Sequence, residues 1–90
     1  MDSGRTVILN VGGKKVETLR YPLQKIPYFE ACFRTYLGVE KQEIFIDADY
    51  HIFKHVLNYI RSNGYMFPKD TVLYHNILDI MNYLGIKYQD

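Results

Sequence analysis

The amino-acid sequence predicts a small α/β or α+β domain in which helices flank a three-stranded sheet. Three observations carry this reading. Two short runs near the N-terminus and one in the middle of the chain alternate from residue to residue as strands do. Between and after them, apolar residues recur every three or four positions, the period of helices with one buried side. Ninety residues are enough for one hydrophobic core and too few for two.

The elements follow in order. From Thr6 to Val11, Val7, Leu9 and Val11 share one side, and Thr6, Ile8 and Asn10 share the other. Gly12-Gly13 supplies the positive φ angles of a tight hairpin, and Lys14 to Leu19 returns as a second strand with Val16 inward. Pro22 and Pro27 each suit the first turn of a helix, which predicts a short turn over 22–26 and a helix from Pro27 to Tyr36. Phe29, Cys32, Phe33 and Tyr36 form its apolar stripe, and Gly38 closes it before a polar loop over 39–43. Glu43 to Asp47 is the third strand, with Ile44 and Ile46 on one face and Phe45 on the other. Asp49 is positioned to cap a helix over 50–62 that buries Phe53, Val56, Leu57 and Ile60, with His51, His55, Asn58 and Ser62 on the solvated side. Asn63-Gly64 ends it in a left-handed turn. Tyr65 to Phe67 is a short extended piece stopped by Pro68. Asp70 or Thr71 caps a last helix that runs to Leu84, buries Leu73, Ile77, Ile80, Met81 and Leu84, and stops at Gly85.

Composition narrows the function. Eleven Lys and Arg against ten Asp and Glu give a net charge of +1, which offers a nucleic acid no basic stripe to bind. A single Cys32 allows neither an internal disulfide framework nor a Cys-rich zinc site, and fits a reducing compartment. No apolar run approaches the roughly 18 residues of a membrane helix, and no signal-peptide core follows Met1, so the chain reads as soluble and cytoplasmic. Nine Tyr and five Phe are more rings than so small a core can hold. Some of them belong on a surface that meets another molecule, because tyrosine is favoured where one end is apolar and the other wet.

No set of residues reads as catalytic. His51 and His55 have the i, i+4 spacing of paired zinc ligands, but the Glu of a metalloprotease motif is missing and two solvated histidines are the simpler reading. Gly12-Gly13 lacks the following helix and Lys-Ser/Thr pair of a phosphate loop. Asp47 and Asp49 are unaccompanied by a nucleophile or oxyanion donors, so a helix cap and a turn or intersubunit acceptor are the favoured roles. Cys32 lies on an apolar stripe with no cation in phase and reads as an inert thiol. No cofactor is expected, and the chain is not expected to be an enzyme.

Several segments together resemble a known family. These are Val7-Ile8-Leu9-Asn10-Val11-Gly12-Gly13, Leu23 with Pro27, Ile44-Phe45-Ile46-Asp47-Ala48-Asp49, Phe53, Val56 to Arg61, and Met81-Asn82-Tyr83-Leu84-Gly85-Ile86. In this order and spacing they resemble the BTB/POZ domain of the potassium-channel tetramerisation type, with its soluble KCTD relatives. The resemblance covers residues 5–88 as one domain and leaves 1–4 and 89–90 as flexible termini. It implies a protein-interaction module that forms homo-oligomers, tetramers or pentamers, and that in KCTD-type relatives also recruits a cullin-3 ubiquitin ligase as a substrate adaptor. The alternative it implies is the cytoplasmic tetramerisation segment of a channel or other larger chain. Where the family has a basic residue between two aspartates, this chain has Ala48, which removes one candidate intersubunit salt bridge. The family's intersubunit zinc needs late cysteines that are missing here. On this reading Phe45, Asp47, Asp49 and Tyr50 are the expected oligomer contacts. Tyr28, Phe29, Tyr65, Phe67, Asp79 and Tyr83 are the expected anchors for a second partner, since buried aromatic anchors dominate interface energies.

Overall fold

The computed structural model describes residues 5–35, 43–64, 67 and 72–87. Strand β1, Thr6–Val11, and strand β2, Lys14–Leu19, form an antiparallel hairpin in which Leu9 lies opposite Val16 and Val11 opposite Lys14. Gly12 and Gly13 make the turn at φ +58° and +101°, the two positive angles that match the twist of the flanking strands. Asn10 Oδ1 fastens the turn by accepting from the Gly13 N–H at 2.9 Å. Gly12 is required twice over, because a Cβ there would stand 2.5 Å from the carbonyl oxygen of Ala48. Its N–H donates to the Ile46 carbonyl at 2.9 Å, which seats the hairpin turn on the end of the third strand.

That strand, β3, is Glu43–Ile46 and runs parallel to β1, with Leu9 beside Ile44 and Val11 beside Ile46. The sheet order is therefore β2-β1-β3. A parallel neighbour cannot be reached through a tight turn, so the chain crosses over by way of helix α1, Pro27–Thr35. The lead-in is a 3₁₀ turn at Tyr21–Leu23, shorter than the turn over 22–26 that the two prolines predict. Successive bonds from the Leu23, Gln24 and Ile26 N–H groups to carbonyls three residues back tighten this stretch, and Leu23 is buried by it. The predicted end of α1 at Tyr36, the stop at Gly38 and the loop over 39–42 lie outside the described residues.

Helix α2 is Tyr50–Arg61, capped by Asp49, whose Oδ1 accepts from the His51 N–H at 2.7 Å. Ser62 is its C-cap rather than its last turn, and Asn63 takes the expected left-handed angle at φ +57°. His55, expected on the solvated side, is half-buried. Helix α3 is Tyr74–Leu84. Its N-cap is Leu73, which offers no side-chain acceptor, so the helix starts later than a cap at Asp70 or Thr71 would place it. Both of those residues lie outside the described ones. Gly85 ends α3 at φ +83°, and a Cβ there would come within 3.0–3.3 Å of the Pro27 ring, so the end of α3 rests on the start of α1.

The three described helices all lie on one face of the sheet. Val7, Leu9, Val11, Ile44 and Ile46 point into a core completed by Leu23, Phe29, Phe33, Phe53, Val56, Leu57, Ile77, Met81 and Leu84. Ile60 and Ile80 stay at its margin, half-buried, because they lie at the edges of their helical stripes, and Leu73 does so as the cap residue before α3. Val16 packs against this core from the β2 edge, and Thr18 beyond it is the one polar side chain buried among the described residues.

Candidate protein-interaction surface

The face of the sheet opposite the helices is covered by no element among the described residues. Alternation and register together determine what stands there. One row across the sheet is Lys15, Asn10 and Phe45, the next Glu17, Ile8 and Glu43, and the last Leu19 and Thr6. Polar side chains tie the strands to one another. Glu43 accepts from Asn10 Nδ2 at 3.3 Å and pairs with Lys15 Nζ at 3.3 Å, and the Thr6 hydroxyl donates to Glu17. Besides the half-buried Ile8, two exposed apolar side chains interrupt this lattice at opposite edges, Phe45 on β3 at 58% exposed and Leu19 on β2 at 47%.

The backbone of Phe45 adjoins an aromatic corner. The Tyr28 hydroxyl donates to the Phe45 carbonyl at 3.4 Å, and the Tyr28 ring lies 5.3 Å from that of Tyr83 and edge-on to Phe29 at 5.5 Å. Tyr83 is 59% exposed, and Asp79, one turn earlier on α3, is exposed as well. The expected partner residues Tyr28 and Tyr83 thus meet each other, and Tyr28 reaches the backbone of the expected oligomer residue Phe45. Burial raises the Tyr28 phenol to about 12, helped by its hydrogen bond with Tyr83 and by repulsion from Tyr83 and Cys32 in their ionised forms. Burial also pushes the Cys32 thiol up, which leaves it a poor nucleophile.

Phe29 requires a correction. It is fully buried in the core against Phe33, so it presents no ring to a partner. Its position on the helical stripe already allowed this, since the same phase that sets it beside Phe33 turns it inward. Phe67 is half-buried and packs edge-on to Tyr59 at 5.6 Å and Tyr74 at 5.7 Å. Tyr65 lies outside the described residues.

The corner between β3 and α2 carries the remaining candidates. Asp47 is exposed, and Asp49 is committed to its cap. Tyr50 is half-buried, with Lys14 Nζ 5.0 Å above its ring, a cation–π contact that ties the hairpin turn to the first residue of α2.

One feature escaped sequence reasoning. An open recess of about 420 Å³ at the β2 edge is lined by Thr6, Glu17, Thr18, Leu19, Pro22 and Arg61. Arg61 Nε donates to the buried Thr18 hydroxyl at 3.2 Å, which holds the last turn of α2 beside β2. The apolar Leu19 on an outward strand position was the available signal. Nothing local could reveal that Pro22 and Arg61 would join it.

Among the described residues no group of three or more His, Cys, Asp or Glu could hold a metal ion. No described helix is long and apolar enough to cross a membrane. A surface made of strand-linking polar pairs, exposed rings and a shallow recess is suited to holding another protein.

Comparison with known proteins agrees with this. The chain is 34% identical over 76 residues to the potassium voltage-gated channel protein Shal of Drosophila melanogaster, an alignment that covers 74% of this chain and 12% of the channel protein. The family model of the BTB/POZ domain matches residues 7–90. With the helices, mixed sheet and segment order described above, the chain belongs to the BTB/POZ family, in its potassium-channel tetramerisation type.

Proposed function

We propose that this chain is a homo-oligomerisation module that assembles copies of itself, and the larger proteins they belong to, into tetramers or pentamers. The carrying observation is the outer face of the sheet, which no element among the described residues covers, with Phe45 exposed at its β3 edge and Leu19 at its β2 edge. The similarity to a voltage-gated channel protein supports the same role, that of a tetramerising segment within a longer protein. No catalytic step is assigned to it. A stable contact between subunits needs at least about 1,000 Å² with good complementarity, and the sheet face with its flanking corner supplies a surface of suitable character. The test is mass by light scattering over a wide concentration range. A mass four or five times that of the 10.7 kDa protomer is expected, and a protomer mass throughout would overturn the reading.

A second reading rests on the exposed Tyr83 ring, backed by Tyr28 and flanked by exposed Asp79. It makes this corner an anchor for cullin-3, with the chain as a substrate adaptor. Calorimetry with the cullin-3 N-terminal domain tests it. Micromolar binding lost in Tyr83→Ala supports the adaptor role, and absence of heat at high micromolar concentration removes it.

A further inference from the structure

We propose that Tyr28 and Tyr83 form an oxidative modification site, at which hydrogen peroxide acting through a haem peroxidase joins the two rings by a carbon–carbon bond and staples α1 to α3. The inference concerns contacts within one protomer and is independent of the assembly readings above.

The two reactants are already together. Tyr28 is the second residue of α1, and Tyr83 is the last but one of α3. Their ring centroids lie 5.3 Å apart with the planes inclined at 42°, and a hydrogen bond links their side chains. Two phenols bonded through the carbons beside their hydroxyls keep those hydroxyls adjacent and their rings inclined. The product therefore needs a small approach of the rings and no reversal of either one. Tyr28 is held from two further sides, edge-on to Phe29 at 5.5 Å and through its hydroxyl to the Phe45 carbonyl at 3.4 Å. The close seat of Gly85 on the Pro27 ring keeps the two helix ends in place. Tyr83 is exposed, and so open to an oxidant. Among the described residues no other two tyrosine rings are in contact; Tyr59 and Tyr74 each meet Phe67 instead.

The chemistry balances. One oxidising equivalent takes an electron and a proton from the Tyr83 hydroxyl, and a second takes the same from Tyr28. The two phenoxyl radicals pair their unpaired electrons in a bond between ring carbons next to the oxygens. The hydrogen on each of those carbons then moves to oxygen, which restores both hydroxyls. The electrons and protons removed reduce one hydrogen peroxide to two waters. Rings held in contact replace a chance encounter with an intramolecular step, and the link closes the long loop between residues 28 and 83, which stabilises the fold against unfolding.

The full chain, treated with a haem peroxidase and hydrogen peroxide, tests this. Dityrosine fluorescence is expected in the species of protomer mass on denaturing gels. Mass spectrometry should find the peptide containing Tyr28 joined to that containing Tyr83, lighter than their sum by two hydrogen atoms. Tyr28→Phe and Tyr83→Phe, with circular dichroism to check the fold, should each lower the protomer-mass signal at least about tenfold. Tyr21→Phe, which removes another exposed tyrosine, should leave it unchanged. The linked protein should melt at a higher temperature than the untreated one. A wild type that yields no dityrosine at protomer mass overturns the proposal, and so does a folded Tyr28→Phe or Tyr83→Phe that yields as much as wild type.

Discussion

The two faces of the sheet are built from alternate residues of the same strands, yet they answer different demands. On the inner face the five core side chains of β1 and β3 are apolar and each at most 4% exposed, and the one buried polar side chain there, among the described residues, is Thr18 of β2. The outer face mixes carboxylates, a lysine, an asparagine and two exposed apolar side chains, with its polar groups linked from strand to strand. Folding explains the first pattern completely, since a helix layer must bury apolar area to hold. It leaves Phe45 and Leu19 unexplained, because neither contributes to the core. The difference teaches that what folding does not account for on an ordered strand is the best guide to what the strand is for.

The comparison can be broken or sharpened by substitution. Leu9→Ala on the inner face should cost about 2–5 kcal/mol through lost burial and the cavity left behind, a large share of the roughly 0.05–0.15 kcal/mol per residue that such a domain has. Its neighbour Ile8→Ala on the outer face should cost about 1 kcal/mol or less, and equal losses in urea titrations would erase the distinction between the faces. Gly12→Ala should cost roughly 1–3 kcal/mol, because it strains a positive φ and drives a methyl into the Ala48 carbonyl. A thermal midpoint within a degree of wild type would show that the hairpin turn does not need its seat on β3. Third in size, Asp49→Ala should lose about 1 kcal/mol of helix capping, whereas Asp47→Ala should change protomer stability by less than about 0.5 kcal/mol. If Asp47 proved as costly as Asp49, its role would be internal to the protomer, and its expected place among the oligomer contacts would fail.

The smallest effect appears only at alkaline pH. The folded Tyr28 phenol is raised to about 12 from its ordinary value of 10.0. The folded state therefore holds its proton more tightly than the unfolded chain does. Stability from this site is complete below pH ~10 and falls as pH rises from there through about 12. Tyr28→Phe should flatten that decline in melting temperature and leave the neutral-pH midpoint nearly unchanged; a decline just as steep in the variant would show that Tyr28 does not carry it.

Much of this architecture was readable from residues alone, for reasons that differ by element. The first two strands are bounded as their alternation predicts, since period two and a Gly-Gly turn are local geometry. Helix α2 starts where Asp49 can cap it. By contrast, α3 begins without a side-chain cap, so polar residues upstream misdirected the reading of its start. Phe29 sat both on a buried stripe and among the candidate anchors, and only the packing of α1 against the core separated the two roles.

By itself the sequence determined which residues of each strand and helix share a side, where the chain turns at Gly12-Gly13, and how Asp49 opens α2. Each of these follows from covalent geometry and bonds spanning a few residues. The tertiary structure alone decided that β3 runs parallel beside β1, that Tyr28 joins Phe45 to Tyr83, and that Leu19, Pro22 and Arg61 enclose a recess. Those neighbours come from parts of the chain far apart in sequence, and they meet only because burying the shared core leaves the crossover and the three helices one way to pack.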